Sequence, residues 1–70
     1  MEPVKTPDVV EDEDMVHLVL AAKDNGLNPV FANDGKLVPH LTTATKVALY
    51  RKGQVQVTYS LGGDNKWRKC

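Results

Sequence analysis

The residues that could do chemistry are concentrated in the last third of the chain, where bases and aromatic residues are interleaved. Residues 46–70 hold six bases against one acid, Asp64, and three large aromatic side chains, Tyr50, Tyr59 and Trp67. Such a composition is typical of a surface that binds single-stranded nucleic acid, because cations contact phosphates and aromatic rings stack on bases. Lysines on exposed strands are also typical of sheets that avoid edge-to-edge aggregation. The candidate binding surface comprises Lys46, Tyr50, Arg51, Lys52, Gln54, Gln56, Lys66, Arg68 and Lys69.

The acidic residues are concentrated at the opposite end of the chain. The net charge is zero, yet residues 1–14 hold six acids against one base, and residues 15–70 hold three acids against eight bases. With Pro3 and Pro7 and few aliphatic side chains, residues 1–14 are predicted to be a disordered acidic tail. The candidate regulatory residues in this tail are Glu11, Asp12, Glu13 and Asp14.

Three roles for the acidic tail follow from its charge. The tail could solubilise the body, dock on a basic partner, or cover the basic surface and compete with a polyanion. The last role predicts that deletion of residues 1–14 raises the affinity for polyanions at low salt.

Other constellations do not match a known kind of site. His17 and His40 are 23 residues apart with no cysteine nearby, so they lack the ligand spacing of a zinc site. The acidic run lacks the spaced oxygens of a calcium loop, and no Gly-Lys-Ser or Gly-Lys-Thr follows Gly62-Gly63. We therefore predict no metal, no cofactor and no catalytic site, and hence a protein that is not an enzyme.

The segment at residues 15–24 can form either a helix or a strand. Apolar residues fall on one broad helical face, acids precede the segment, and Gly26 can supply a left-handed C-terminal cap. The β-propensity of Val16 to Leu20 supports a strand equally well. Both interpretations stay open.

Two hairpins are predicted beyond this segment. Asn33-Asp34-Gly35 is a strong turn signal between residues 30–32 and 36–38, and Pro29 and Pro39 place this hairpin at a sheet edge. Residues 45–60 form the second hairpin, although a helix over residues 42–52 that ends at Gly53 is the competing interpretation.

The register of the second hairpin can be inferred from its pattern of apolar residues. A two-residue loop at Lys52-Gly53 mixes apolar and polar residues on both faces. A three-residue loop at residues 51–53 pairs Leu49 with Val55 and Val47 with Val57, and it spares Lys52 a positive φ angle. Because a slip of one residue exchanges the faces, we favour the three-residue loop.

The fold class that follows is a small β-rich domain over residues 15–70, preceded by the tail. It is either a partly open barrel or a three- to five-stranded antiparallel sheet, with or without a helix at residues 15–24. Residues 66–70 are predicted to form a last strand with Trp67 facing the core. The predicted core is Leu18, Leu20, Phe31, Leu37, Val47, Leu49, Val55, Val57, Tyr59 and Trp67.

Size and composition set the functional expectation. A chain of 70 residues with a single cysteine, Cys70, and no long apolar run is expected to be a soluble cytoplasmic protein. The first hypothesis is a non-enzymatic binding or adaptor module that acts through a protein partner. The alternatives are a nucleic-acid-binding protein that uses residues 46–69 and a structural subunit that oligomerises through exposed β-edges.

Overall fold

A computed structural model describes residues 6–70. Within this range the chain forms six strands and one α-helix, and the strands make one open antiparallel sheet in the order β1-β6-β5-β4-β2-β3. The elements are β1 (Val9–Glu11), α1 (Asp12–Asp24), β2 (Asn28–Asn33), β3 (Lys36–Val38), a 3₁₀ turn (Leu41–Thr43), β4 (Lys46–Arg51), β5 (Gln54–Leu61) and β6 (Lys66–Lys69). The prediction of a small β-rich domain is therefore confirmed, with an open sheet and one helix.

Helix α1 ends at the predicted signal, but it begins at Asp12, three residues before the predicted segment. Its first turn is acidic and its last turn carries Lys23, so both ends complement the macrodipole. Gly26 has a φ angle of 84°, and the N–H groups of Gly26 and Leu27 donate to the carbonyls of Lys23 and Ala22. This pair of bonds is a Schellman motif, which stops the helix. The strand interpretation of residues 15–24 is wrong.

The prediction that residues 1–14 form a disordered tail is wrong for residues 9–14. Val10 pairs with Trp67 across β1 and β6, and α1 already begins at Asp12. The N–H of Lys69 donates to the carbonyl of Asp8, and the Tyr59 hydroxyl donates to the carbonyl of Pro7 at 2.6 Å. The part of the prediction that concerns residues 1–5 lies outside the described residues.

Both hairpins turn through two residues with positive φ. In the first, Asp34 and Gly35 connect β2 to the edge strand β3, as predicted. In the second, Lys52 (φ 53°) and Gly53 (φ 79°) connect β4 to β5, with Arg51 opposite Gln54. These angles are those of a type I′ turn, whose twist matches that of the strands. The helix interpretation of residues 42–52 is wrong.

The prediction of a three-residue loop is also wrong. A bulge in β5, and not an extra loop residue, brings the apolar residues of the two strands onto one face. Tyr50 pairs with Val55 and Leu49 pairs with Val57, so Gln56 is the extra residue. Beyond the bulge, Val47 pairs with Tyr59 and the apolar residues share one face. Val55, however, falls on the other face beside Tyr50.

The core lies between α1 and one face of the sheet. Its largest fully buried side chains are Trp67, Tyr59, Met15, Leu49 and Val47. Three residues predicted to be in the core are exposed instead: Leu20 (55%), Leu37 (77%) and Val55 (53%). Within residues 6–70 no helix is long and apolar enough to cross a lipid bilayer.

Candidate protein-binding surface

The second face of the sheet, which we call the open face, is not covered by α1. One row of directly opposed residues crosses all six strands there: Val9, Arg68, Ser60, Lys46, Ala32 and Leu37. The hydroxyl-bearing Ser60 thus lies between two cations, Lys46 and Arg68. The basic row, as we call its central part, consists of Arg68, Ser60 and Lys46, and the row ends on the exposed Val9 and Leu37 at the two edges of the sheet.

The middle of the open face is apolar. Thr58, Ala48 and Val30 form the next row, and Val55 pairs with Tyr50 in the row beyond it. Val55 is exposed, as is Asn28, which lies opposite Tyr50 at the end of this row, and the others in these two rows are half-buried. An aromatic ring and short aliphatic side chains therefore form a flat surface beside the basic row.

The nine residues of the predicted basic and aromatic surface do not form one surface. Because opposed residues share a face and neighbours alternate, the register places Lys46, Tyr50, Lys66 and Arg68 on the open face. Arg51, Gln54 and Lys69 lie on the α1 side. Lys52 is in the turn, and Gln56 is the bulged residue, whose side-chain amide donates to the carbonyl of Gln54.

Three of the predicted cations already have partners within the chain. Arg68 donates two hydrogen bonds to Asp64, at 2.8 and 3.1 Å, and this guanidinium lowers the pKa of the Asp64 carboxyl to about 2. The Lys69 ammonium lies 3.7 Å from a carboxylate oxygen of Asp8. The Arg51 guanidinium donates to the carbonyl of Asn25 at 3.0 Å, just beyond α1. The two carboxylates offset the charges of Arg68 and Lys69, and the carbonyl of Asn25 holds the Arg51 guanidinium on the α1 side of the sheet.

The acidic residues predicted to be regulatory are part of the fold. Asp12 accepts a hydrogen bond of 2.9 Å from the Trp67 indole, and Glu11 lies opposite Lys66 on the open face. An open hollow of about 310 Å³ is lined by Glu11, Asp12, Glu13, Asp64 and Asn65. Among the described residues, no three His, Cys, Asp or Glu side chains are grouped to hold a metal ion.

The apolar middle of the open face was not identified from the sequence. Val30 and Ala48 looked like ordinary strand residues, and Val55 was assigned to the core. The signal that could have revealed the surface is the alternation in β4. Val47, Leu49 and the half-buried Arg51 lie on the α1 side, and Ala48 and Tyr50 alternate with them on the open face. Two apolar residues at outward positions of one strand indicate a covered or bound face.

No family model, curated protein or solved structure matches this chain. The site therefore has to be interpreted from its own geometry. Its features are a flat apolar middle with one aromatic ring, a basic row on one side, and a rigid sheet beneath.

Proposed function

We propose that this protein is a non-enzymatic binding module and that its protein partner docks on the open face of the sheet. The observation that carries the proposal is the apolar middle of this face. An antiparallel sheet with one face in water normally presents polar residues there. Here Val30, Ala48, Tyr50 and Val55 occupy neighbouring positions on β2, β4 and β5 instead.

The arrangement of side chains resembles the anatomy of protein interfaces. Interfaces have an apolar and aromatic centre with a polar rim, and tyrosine is enriched among the residues that carry most of the binding energy. Tyr50 lies on a central strand beside the second turn, with Lys46 four residues away on the same strand and with Lys66 and Arg68 on β6. Contiguous exposed apolar surface on a small domain is itself an indication of a binding site.

Single-stranded nucleic acid is the competing ligand, because Lys46, Lys66 and Tyr50 share the open face. Its support is weaker than the sequence suggested, since Arg51, Arg68 and Lys69 have partners within the chain. A titration with labelled oligonucleotides at low salt distinguishes the two. Tight, steeply salt-dependent binding that is lost in Lys46→Ala favours nucleic acid over the protein partner.

A location in the cytoplasm is part of the proposal. Cys70 is the single cysteine of the sequence, so the chain cannot form an internal disulfide. Small proteins of oxidising compartments typically depend on such disulfides, which favours the cytoplasm.

The test is site-specific photo-crosslinking in cells. A photoreactive phenylalanine analogue replaces Val55, which is exposed on the open face, and in a matched control it replaces Thr42, which is exposed in the 3₁₀ turn. We expect a discrete protein adduct from position 55, none from position 42, and loss of the adduct on Tyr50→Glu. Equal adducts at both positions, or none at position 55, contradict the proposal.

A further inference from the structure

The large apolar side chains that are exposed among residues 6–70 fall into two groups. Val9, Leu37 and Val55 lie on the open face, whereas Val16 and Leu20 lie on α1. Residues three and four apart share one side of a helix. The outer stripe of α1, as we call this side, consists of Glu13, Val16, His17, Leu20 and Asp24, all of which are exposed. Val9 and Leu37 lie on the opposite edge strands β1 and β3, whereas Val55 lies beside Tyr50 and Ala48 on the central strands. The two apolar surfaces therefore differ in shape: one is a helical ridge and the other is a flat part of the sheet.

We propose that the open face receives the outer stripe of α1 from a second copy of this chain. This inference rests on the proposed function and deepens it by naming the partner. The helix of the second copy supplies the layer that the open face lacks, so that the sheet is packed between two helices. Leu20 and Val16 of one copy then lie against Tyr50, Ala48 and Val55 of the other.

The charges of the two surfaces are complementary. The outer stripe carries two carboxylates, Glu13 and Asp24, with Asp14 beside them in the first turn. The strands of the open face carry three cations, Lys46, Lys66 and Arg68, against one acid, Glu11, and Asp64 binds Arg68 from the adjoining loop. An acidic ridge approaching a basic row is attracted, whereas two open faces or two outer stripes repel each other.

The sizes of the two surfaces also agree. A helix of 13 residues is about 20 Å long at the usual rise per residue. Six strands span about 24 Å at their usual spacing. One helix therefore fits across one sheet without overhang, and a stable interface buries roughly 800 Å² per partner, which one short helix on one sheet face is not expected to reach. We expect micromolar or weaker association.

The proposed contact joins two different surfaces, so it does not close into a symmetric dimer. Each added copy leaves one open face and one outer stripe free at the ends of the assembly. Head-to-tail contacts of this kind produce rings or open chains. The average mass should therefore rise continuously with protein concentration and fall with added salt.

The experiment uses two variants that each disable one surface, Leu20→Asp and Val55→Asp. Both positions are more than half exposed, so the fold should be kept, which circular dichroism checks. Gln54→Asp, at an exposed position beside the second turn, is the control with the same added charge. Sedimentation velocity at low salt then measures the mass of each variant, alone and in an equimolar mixture.

The proposal makes a distinctive prediction for the mixture. Wild type and Gln54→Asp associate with rising concentration, and each disabled variant alone remains a monomer. The mixture forms heterodimers, because Leu20→Asp retains an intact open face and Val55→Asp retains an intact outer stripe. Aspartate at both positions ensures that the two disabled surfaces do not attract each other.

The outcomes separate this inference from the proposed function. A wild type that is monomeric at every concentration, self-association of Leu20→Asp, or a mixture that stays monomeric overturns the inference. If the wild type is monomeric while position 55 crosslinks to a different protein, self-association is wrong and the proposed function stands. If neither association nor a protein adduct is found, both are wrong. An adduct between two copies supports both.

Discussion

The two faces of the same six strands differ in whether a helix covers their apolar residues. On the α1 side, Val47, Leu49, Tyr59 and Trp67 are buried to 1% exposure or less. On the open face, lysines and arginine lie beside Val30, Ala48 and Tyr50. The stability of the folded monomer is enough to explain the apolar residues of the α1 side, since α1 packs against them. The second face keeps apolar residues that the folded monomer does not bury, which is why we assign the binding surface to it.

The largest difference between the faces should appear when a side chain is shortened. Leu49→Ala removes a fully buried side chain, so we expect the free energy of unfolding to fall by about 2–5 kcal/mol, which is a large part of the stability of a small domain. Val55→Thr, on the open face, is the control and should change the free energy by less than about 0.5 kcal/mol. Urea denaturation measures both. A large loss in Val55→Thr would show that the open face is packed in the monomer.

The two tyrosines of the hairpin should differ by a smaller amount. Tyr59→Phe removes the hydrogen bond to the carbonyl of Pro7, which should cost about 0.5–1.5 kcal/mol and speed hydrogen exchange in β1. Tyr50→Phe is the matched control on the open face, where we expect almost no effect on unfolding. Equal losses in the two variants would contradict the contrast between the faces.

Burial also raises the pKa of the Tyr59 hydroxyl, with Asp8 adding to the effect. Because the ionised form is disfavoured in the fold, this contribution to stability is complete below a pH of about 10 and is lost as the pH rises further.

The smallest expected effect belongs to an ion pair at the edge of the open face. Arg68 lowers the pKa of Asp64 from 3.8 to about 2, so the associated stabilisation is present above pH 4 and is lost as the pH falls toward 2. Arg68→Gln should raise this pKa toward 3.8 in an NMR titration. The free energy of unfolding should hardly change, because exposed pairs are screened by solvent. An unchanged pKa in Arg68→Gln would show that Arg68 is not the cause of the shift.

Local signals in the sequence predicted much of the fold. The acids before residue 15 and the cap at Gly26 supported the helix as one of two open interpretations and marked its end, and Asp34-Gly35 predicted the first hairpin. These features act over a few residues, so sequence order reveals them. The last strand and the inward position of Trp67, which lies opposite Leu61, were also predicted.

The features that were missed depend on distant partners. β1 has only three residues and an acidic end, and it forms because Val10 pairs with Trp67 near the other end of the chain. The bulge at Gln56 leaves no local signal, because an inserted residue is recognised only by what faces it across the strand. Because the bulge supplies the extra residue, the hairpin closes with a two-residue type I′ turn, which matches the strand twist and gives Lys52 a positive φ angle. In this register Val55 lies opposite Tyr50 on the open face, and not in the core where it was predicted.

The pairing of β1 with β6 has a consequence for synthesis of the protein on the ribosome. β1 is translated before its partner β6, so it can pair only after Lys66 to Lys69 have emerged from the ribosome. Until then, Val10 and the inner side of α1 lack Trp67, and the edge of β5 is exposed. A nascent chain that stalls before residue 66 therefore presents an unfinished sheet, whereas emergence of residues 66–69 lets β6 pair with β1 and β5 at once.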